Sequence, residues 1–228
     1  MDVAGVLAET PLFVDLDRAT VEAIAQGVAV RTFSKGSHLF HQGDPGDAFY
    51  ILTSGAVKVF VSSPQGDEMV LATLRPPDAL GEVALLDHGE RSASAEALQE
   101  TTAIAFARST VLELMRTQPG IGDAMLRAAG KLLRRLTGQA ADLVFLDLEG
   151  RVAKLLVSLA EDRGTERDGN LTLELDVTQT DLAHMVGGSR QSVNQILHAL
   201  ASRGLVTLHG REIQIVDLER LRSRAGML

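Results

Sequence analysis

Seven small or apolar residues, Gly122, Leu126, Ala129, Leu133, Leu136, Ala140 and Leu143, recur at alternating spacings of four and three. That is the seam of a coiled coil, whose apolar positions return every 3.5 residues. The spacing predicts a helix from about Ile121 to Phe145 with a second copy of the chain as its partner. A second apolar line, Met125, Leu132 and Val144, gives the same helix a face for packing on its own chain. A rod of this kind splits the chain into a part before it and a part after it.

The part before it begins with short helices: Pro11-Leu12-Phe13, then Val21, Ile24, Ala25 and Val28 at helical spacing. From Val28 to about Ala107 the texture changes. Runs such as Phe49-Tyr50-Ile51-Leu52, Val57 to Val61 and Met69 to Ala72 alternate with turn residues, among them Lys35-Gly36, Gln42 to Asp47, Ser54-Gly55, Gln65-Gly66-Asp67 and Pro76-Pro77. Short strands with turns every ~8–12 residues predict an antiparallel barrel or sandwich. Thr110 to Arg116 reads as a short helix that stops near Pro119-Gly120.

After the rod, Asp147 is placed to cap a helix whose face is Val152, Leu155, Leu156 and Leu159. Asp162 to Asn170 reads as a polar surface loop, and Leu171, Leu173 and Leu175 alternate as a half-buried strand. Thr178, with Asp181 three residues on, opens a helix that Gly187-Gly188 breaks. Ser189 opens a second helix through Val193, Ile196, Leu197 and Leu200, ending at Gly204. Leu205 to Leu208 and Ile213 to Val216, joined by His209-Gly210-Arg211, make a hairpin. The expected fold is α+β: an antiparallel β-roll, a long dimerisation helix and a winged helix-turn-helix. The corresponding boundaries are 1–118, 119–147 and 148–228.

Charge fits DNA only locally. The 228 residues hold 22 Lys+Arg and 30 Asp+Glu, a net of −8, but Ser189 to Arg211 carries Arg190, Arg203 and Arg211 and no acid. The absence of cysteine excludes disulfides, Cys-ligated metal and a thiol nucleophile, and fits a reducing cytoplasm. No run of 18 residues lacks a charge, so no membrane-spanning helix is expected, nor is a secretory leader at the acidic start. Gly130-Lys131 lacks the upstream glycine of a phosphate loop, and no nucleophile–base motif marks an enzyme. No metal site is expected.

Two constellations carry chemistry. In the first, Gly81-Glu82-Val83-Ala84 is followed, after a short loop, by Arg91-Ser92-Ala93. Gly81 permits close backbone approach, Glu82 can accept from a sugar hydroxyl, Arg91 offers a planar fork to phosphate oxygens, and Ser92 adds a hydroxyl. One acid and one arginine suit a nucleotide monophosphate; a Glu82–Arg91 ion pair on a loop is the alternative. In the second, Ser189 caps a helix whose first turns present Arg190, Gln191, Asn194 and Gln195. These are side chains that read guanine and adenine edges. His198, Arg203, His209 and Arg211 are candidates for phosphate contact.

The first constellation, the stretch Gly43 to Gly55, the hinge Phe145 to Ala153 and Val186 to Val193 together resemble the catabolite-activator/fumarate-nitrate-regulator (CRP/FNR) family of bacterial transcription factors. The resemblance spans essentially the whole chain. It implies cAMP in the roll, with Glu82 on the ribose 2′-hydroxyl and Arg91 and Ser92 on the cyclic phosphate. It further implies a hydroxyl from Thr137 near the adenine amino group. The implied partners are a second copy of the chain, two-fold double-stranded operator DNA and RNA polymerase. A regulator of the same kind answering to cGMP, to haem held by His38, His41 or His88, or to no ligand stays open.

Overall fold

The computed structural model describes residues 1–167, 170–175 and 177–227. It forms two compact units, Met1–Arg135 and Leu136–Leu228, with the boundary inside the long helix.

In the first unit, α1 (Val3–Glu9) and α2 (Arg18–Gln26) start at Asp2 and Asp17. Each of these carboxylates accepts a backbone N–H three residues on, which satisfies one of the free donors of a helix start. Then come β1 (Ala29–Phe33), β2 (His38–Phe40), β3 (Ala48–Ser54), β4 (Val57–Ser62), β5 (Glu68–Leu74) and β6 (Ala79–Leu80). A short helix, α3 (Glu82–Asp87), precedes β7 (Ser94–Ala97) and β8 (Thr101–Ala107). The strands pair antiparallel in two sheets, ordered β1-β8-β3-β6 and β2-β7-β4-β5, which is the expected roll.

β3 shows why this sequence lacks simple alternation. Phe49 and Ile51 pack into one core with Phe13, Leu85 and Phe106 from the helical side, while Tyr50 and Leu52 enter a second core with Val57, Leu74 and Ala95. A strand covered on both faces must be apolar throughout. β8 behaves the same way: Ile104 and Phe106 face the first core and Ala103 and Ala105 the second. The alanines are the small partners across from Tyr50 and Leu52 in the register with β3.

α4 (Arg108–Thr117) leads into α5 (Pro119–Phe145). α4 stops at Thr117, just before Pro119 as expected, and Pro119 itself opens α5, because a proline's missing N–H is one that has no partner at a helix start. Ile121, Ala124 and Met125 are buried in the first unit. The seam stands exposed on the chain alone, Leu126 at 68% and Leu133 at 67%. Val144 is 75% exposed, so the second apolar line fails at its far end.

In the second unit, α6 (Leu148–Arg163) is followed by β9 (Thr165–Arg167), β10 (Asn170–Glu174), α7 (Gln179–Val186), α8 (Arg190–Ser202), β11 (Val206–His209), β12 (Glu212–Ile215) and α9 (Leu218–Arg224). One antiparallel sheet runs β11-β12-β10-β9. The loop expected over Asp162 to Asn170 is instead the end of α6 and a strand, β9, whose Thr165, Glu166 and Arg167 pair with Thr172, Leu171 and Asn170. Its polar side chains are all exposed, which is why the sequence hides a strand there. Residues 168 and 169 of that segment lie outside the described residues. Thr178 and Asp181 exchange the two bonds of a capping box, and Gly187 ends α7 at φ +63°, in the left-handed region that glycine adopts freely.

Candidate functional site

The first site is built around α3. Gly81 precedes it with φ +94°, and a Cβ there would stand 2.6 Å from Arg91 Nη1 and 3.0 Å from the Ala48 carbonyl. Backbone angle and close approach therefore both require glycine. Glu82 begins α3 and is half-buried, as is Val83, while Ala84 is buried against the loop where Gly46 leaves room for its methyl group.

Arg91 is only 3% exposed. Its Nη2 donates to the Ala48 carbonyl at 2.6 Å and its Nη1 to the Gly81 carbonyl at 3.3 Å. The guanidinium lies 4.2 Å from the Phe40 ring centroid, a cation–π contact. Asp47 Oδ1, on an exposed side chain, is 3.8 Å away, and Arg91 Nε is buried without a hydrogen-bond partner. The Glu82–Arg91 ion pair does not form among the described residues. Burial pulls the Arg91 guanidinium below its ordinary value, opposed by Tyr50, Asp47, Asp44 and Glu82. Burial likewise pushes the Glu82 carboxyl up, opposed in part by the cations Arg135 and Arg91. Both groups are thus held away from water with their charges incompletely answered. Ser92 is exposed beside them. Thr137 is exposed on α5, in the second unit.

The three histidines raised for haem are not gathered together. His38 and His41 stack at 4.2 Å, whereas His88 Nδ1 meets Arg108 Nη2 at 2.5 Å. Among the described residues no group of three or more His, Cys, Asp or Glu is arranged to hold a metal.

The second site lies in the second unit. Ser189 caps α8, its Oγ accepting from Ser192 N at 3.1 Å. Arg190, Asn194 and His198, on one face of α8, line a groove of about 750 Å³ with Gly210 and Arg211 of the hairpin turn. Gln179 and Thr180, in the first turn of α7, line it too. The sequence reading missed these two, although their place directly after the Thr178 cap was the available signal. Gln191 and Gln195 are exposed on α8 outside this lining, as is His209 at the end of β11.

Arg203 is set apart. At the C-terminal end of α8, its Nη2 pairs with Glu149 Oε1 at 2.8 Å. The same Glu149 oxygen accepts from Arg224 Nε at 2.6 Å, and Arg224 Nη2 also reaches both Asp147 oxygens, at 2.7 and 2.6 Å. Asp147 is in addition the cap of α6, accepting from Gly150 N at 2.8 Å. Arg151 adds bonds to the carbonyls of Val186 and Leu146. The end of α5, the start of α6 and the ends of α8 and α9 therefore share one charge knot. The Arg224 hydrogen bond holds the Asp147 carboxyl below its ordinary value. For Glu149, burial pushes up, but the bonds from Arg203 and Arg224 prevail and the net shift is down. α9 and its arginine were not foreseen, though Asp217 as cap, Glu219 early and Arg222 and Arg224 late are the charge order of a short helix.

Comparison with known proteins covers the stretches in which both sites lie. Residues 30–118 match the cyclic nucleotide-binding domain and residues 150–224 the Crp-like helix-turn-helix domain. The chain is 36% identical over 220 residues to a CRP-like cAMP-activated global transcriptional regulator of Mycobacterium tuberculosis, covering 96% of this chain and 98% of that one. It is 34% identical over 206 residues to the cyclic AMP receptor protein of Thermus thermophilus, covering 90% and 92%. The structure of the c-di-GMP-responsive global regulator CLP of Xanthomonas campestris shares the fold, with a TM-score of 0.77 at 23% identity, over 87% of this chain and 99% of that one. A roll, a long helix and a winged helix-turn-helix, matched along nearly the full length by such relatives, place the chain in the CRP/FNR family of DNA-binding transcription regulators, a family of regulators and not of enzymes.

Proposed function

We propose that the protein is a cAMP-responsive homodimeric regulator that binds two-fold operator DNA in the cytoplasm and works with RNA polymerase. Residues 1–118 take the nucleotide, 119–147 dimerise and 148–228 read DNA. Gly81, Glu82, Val83 and Ala84 form one wall of the ligand site, with Glu82 accepting from the ribose 2′-hydroxyl. Arg91 and Ser92 meet the cyclic phosphate, and Thr137 meets the adenine amino group. The observation that carries this reading is Arg91: among the described residues its buried guanidinium has an unpartnered Nε and no carboxylate closer than 3.8 Å, which calls for an anion. The names of the Mycobacterium and Thermus relatives, with cAMP in both, support the choice of nucleotide. The exposed Leu126 and Leu133 support a partner helix at the seam.

On DNA, Ser189 and its N–H groups would sit at a phosphate, Arg190, Gln191, Asn194 and Gln195 at base edges, and Arg211 at the backbone. Arg203 would reach a phosphate only by leaving Glu149. Ligand acts by binding the DNA-competent arrangement more tightly than the resting one. Calorimetric titration with cAMP and cGMP tests the ligand. We expect saturable cAMP binding that Arg91→Ala abolishes; equal affinity in wild type and variant would remove the reading. Sedimentation of Leu133→Glu tests the assembly. We expect monomers, because the substitution sets two carboxylates face to face on the two-fold axis.

A further inference from the structure

Beside the nucleotide site lies a cavity of about 380 Å³ with a different character. It is closed by the N-terminal segment, the turn before α3 and α5. Leu12, Phe49, Leu74 and Met125 give it an apolar floor, three of these being buried residues of the two cores. Along its α5 wall stand Arg127, Lys131 and Arg135, four residues apart and so stacked in a row on one face of the helix. All three are exposed, and no hydrogen bond or carboxylate within 4.0 Å engages any of them among the described residues. Two acids border the cavity. Asp78 is used locally, accepting from Arg75 N at 3.0 Å, and Glu82 is half-buried. Neither Arg91 nor Ser92 lines it.

The cavity does not belong to the dimer seam. At roughly 100° per residue, the Ala124–Ala128–Lys131–Arg135 face points about 150° away from the Leu126–Ala129–Leu133–Leu136 line. A partner helix on the seam therefore leaves the cations free.

We infer that this cavity is a second ligand site, for a small anionic amphiphile of the acyl carboxylate class, its chain on the Phe49–Met125 floor and its head group on the Arg127–Lys131–Arg135 row. The size is at the small end of the ~300–1,000 Å³ usual for ligand pockets, so it suits a medium chain rather than a bulky ligand. Apolar floor and cationic rim together are what such a molecule needs: neither a neutral chain nor a bare anion satisfies both. The site shares Glu82 with the proposed nucleotide site but neither Arg91 nor Ser92, the residues assigned to the cyclic phosphate, so substitutions can separate the two readings.

Calorimetry on the full-length protein with decanoate, decanol and inorganic phosphate tests it. Decanoate should bind saturably, one per chain, while decanol and phosphate bind at least tenfold more weakly. Arg127→Glu/Lys131→Glu, a change at exposed positions, should weaken decanoate at least tenfold and leave cAMP binding unchanged. Ala128→Phe, which fills the cavity mouth, should do the same without altering charge. Arg91→Ala should leave decanoate binding intact. The inference is overturned if decanoate fails to bind, if decanol binds as well, or if the charge-reversed protein binds decanoate normally. It is overturned equally if Arg91→Ala abolishes decanoate binding, because the cavity is then part of the nucleotide site. Failure of cAMP to bind sinks the nucleotide reading alone and leaves the decanoate results to stand.

Discussion

The Arg91 site and the Arg224 knot are both arginine-centred, and they are built on opposite principles. Arg91 is enclosed, donates to two carbonyls, and among the described residues has no carboxylate closer than 3.8 Å. Arg224 is one-third exposed and is met by both oxygens of Asp147 and one of Glu149. In the first, charge has been desolvated and left over; in the second, the Arg224 charge is answered in place by two carboxylates. A leftover buried charge is costly to keep unless something binds it, so it marks a ligand site. A closed set of partners marks a joint.

The contrast breaks first at Arg91. Replacing it with methionine, which keeps the bulk on Phe40 but not the fork, should cost several kcal/mol of cAMP binding, because a charge-assisted bidentate contact is lost. Titration calorimetry reads this directly. Folding should suffer little, since an unanswered buried charge has been removed; a large fall in Tm would make Arg91 a structural residue after all.

On the DNA side, Arg190→Ala should cost roughly 1–3 kcal/mol and relax preference at one G·C pair in each half-site. Selection from random DNA checks the localisation. A loss spread over the whole site would mean that α8 docks differently.

Arg224→Ala should cost on the order of 1 kcal/mol of folding stability, as expected for a partly exposed ion network rather than a buried one. Its pH dependence has a definite sign. The folded-state values of Asp147 and Glu149 are depressed, so their stabilisation is present above the unfolded carboxylate value and is lost as pH falls through the folded ones. The difference in Tm between wild type and Arg224→Ala should therefore shrink below about pH 4.

The smallest effect separates two residues that the sequence grouped together. Arg211→Ala should flatten the dependence of DNA affinity on salt by about one unit of slope. Arg203→Ala, whose partner is Glu149, should leave that slope alone and lower Tm. Binding measured across a salt series decides between them.

These outcomes also show what a sequence can carry. The turns, the long helix and the capping box at Thr178 are side-chain patterns, and they were legible. The two-faced β3 was legible as a strand but not as the wall between two cores. What escaped has a common cause. The partners of Arg91 are backbone carbonyls, which every residue possesses and no sequence distinguishes. β9 is recognisable only by its pairing with β10. The row Arg127, Lys131 and Arg135 looks like an ordinary solvated helix face until the cavity beside it is seen.

Asp147 holds two offices at once, as the cap of α6 and as the anchor of the Arg224 fork. Capping alone would accept asparagine or serine at that position almost equally well. Arg224 would not, since its Nη2 bonds to both Asp147 oxygens are charge-assisted only while a carboxylate stands there. Position 147 is therefore confined to aspartate only while an arginine stands at 224, and a lineage that first loses Arg224 regains the freedom to drift at 147. The order in which such changes can accumulate is thus directional: 224 opens the door for 147, and not the reverse.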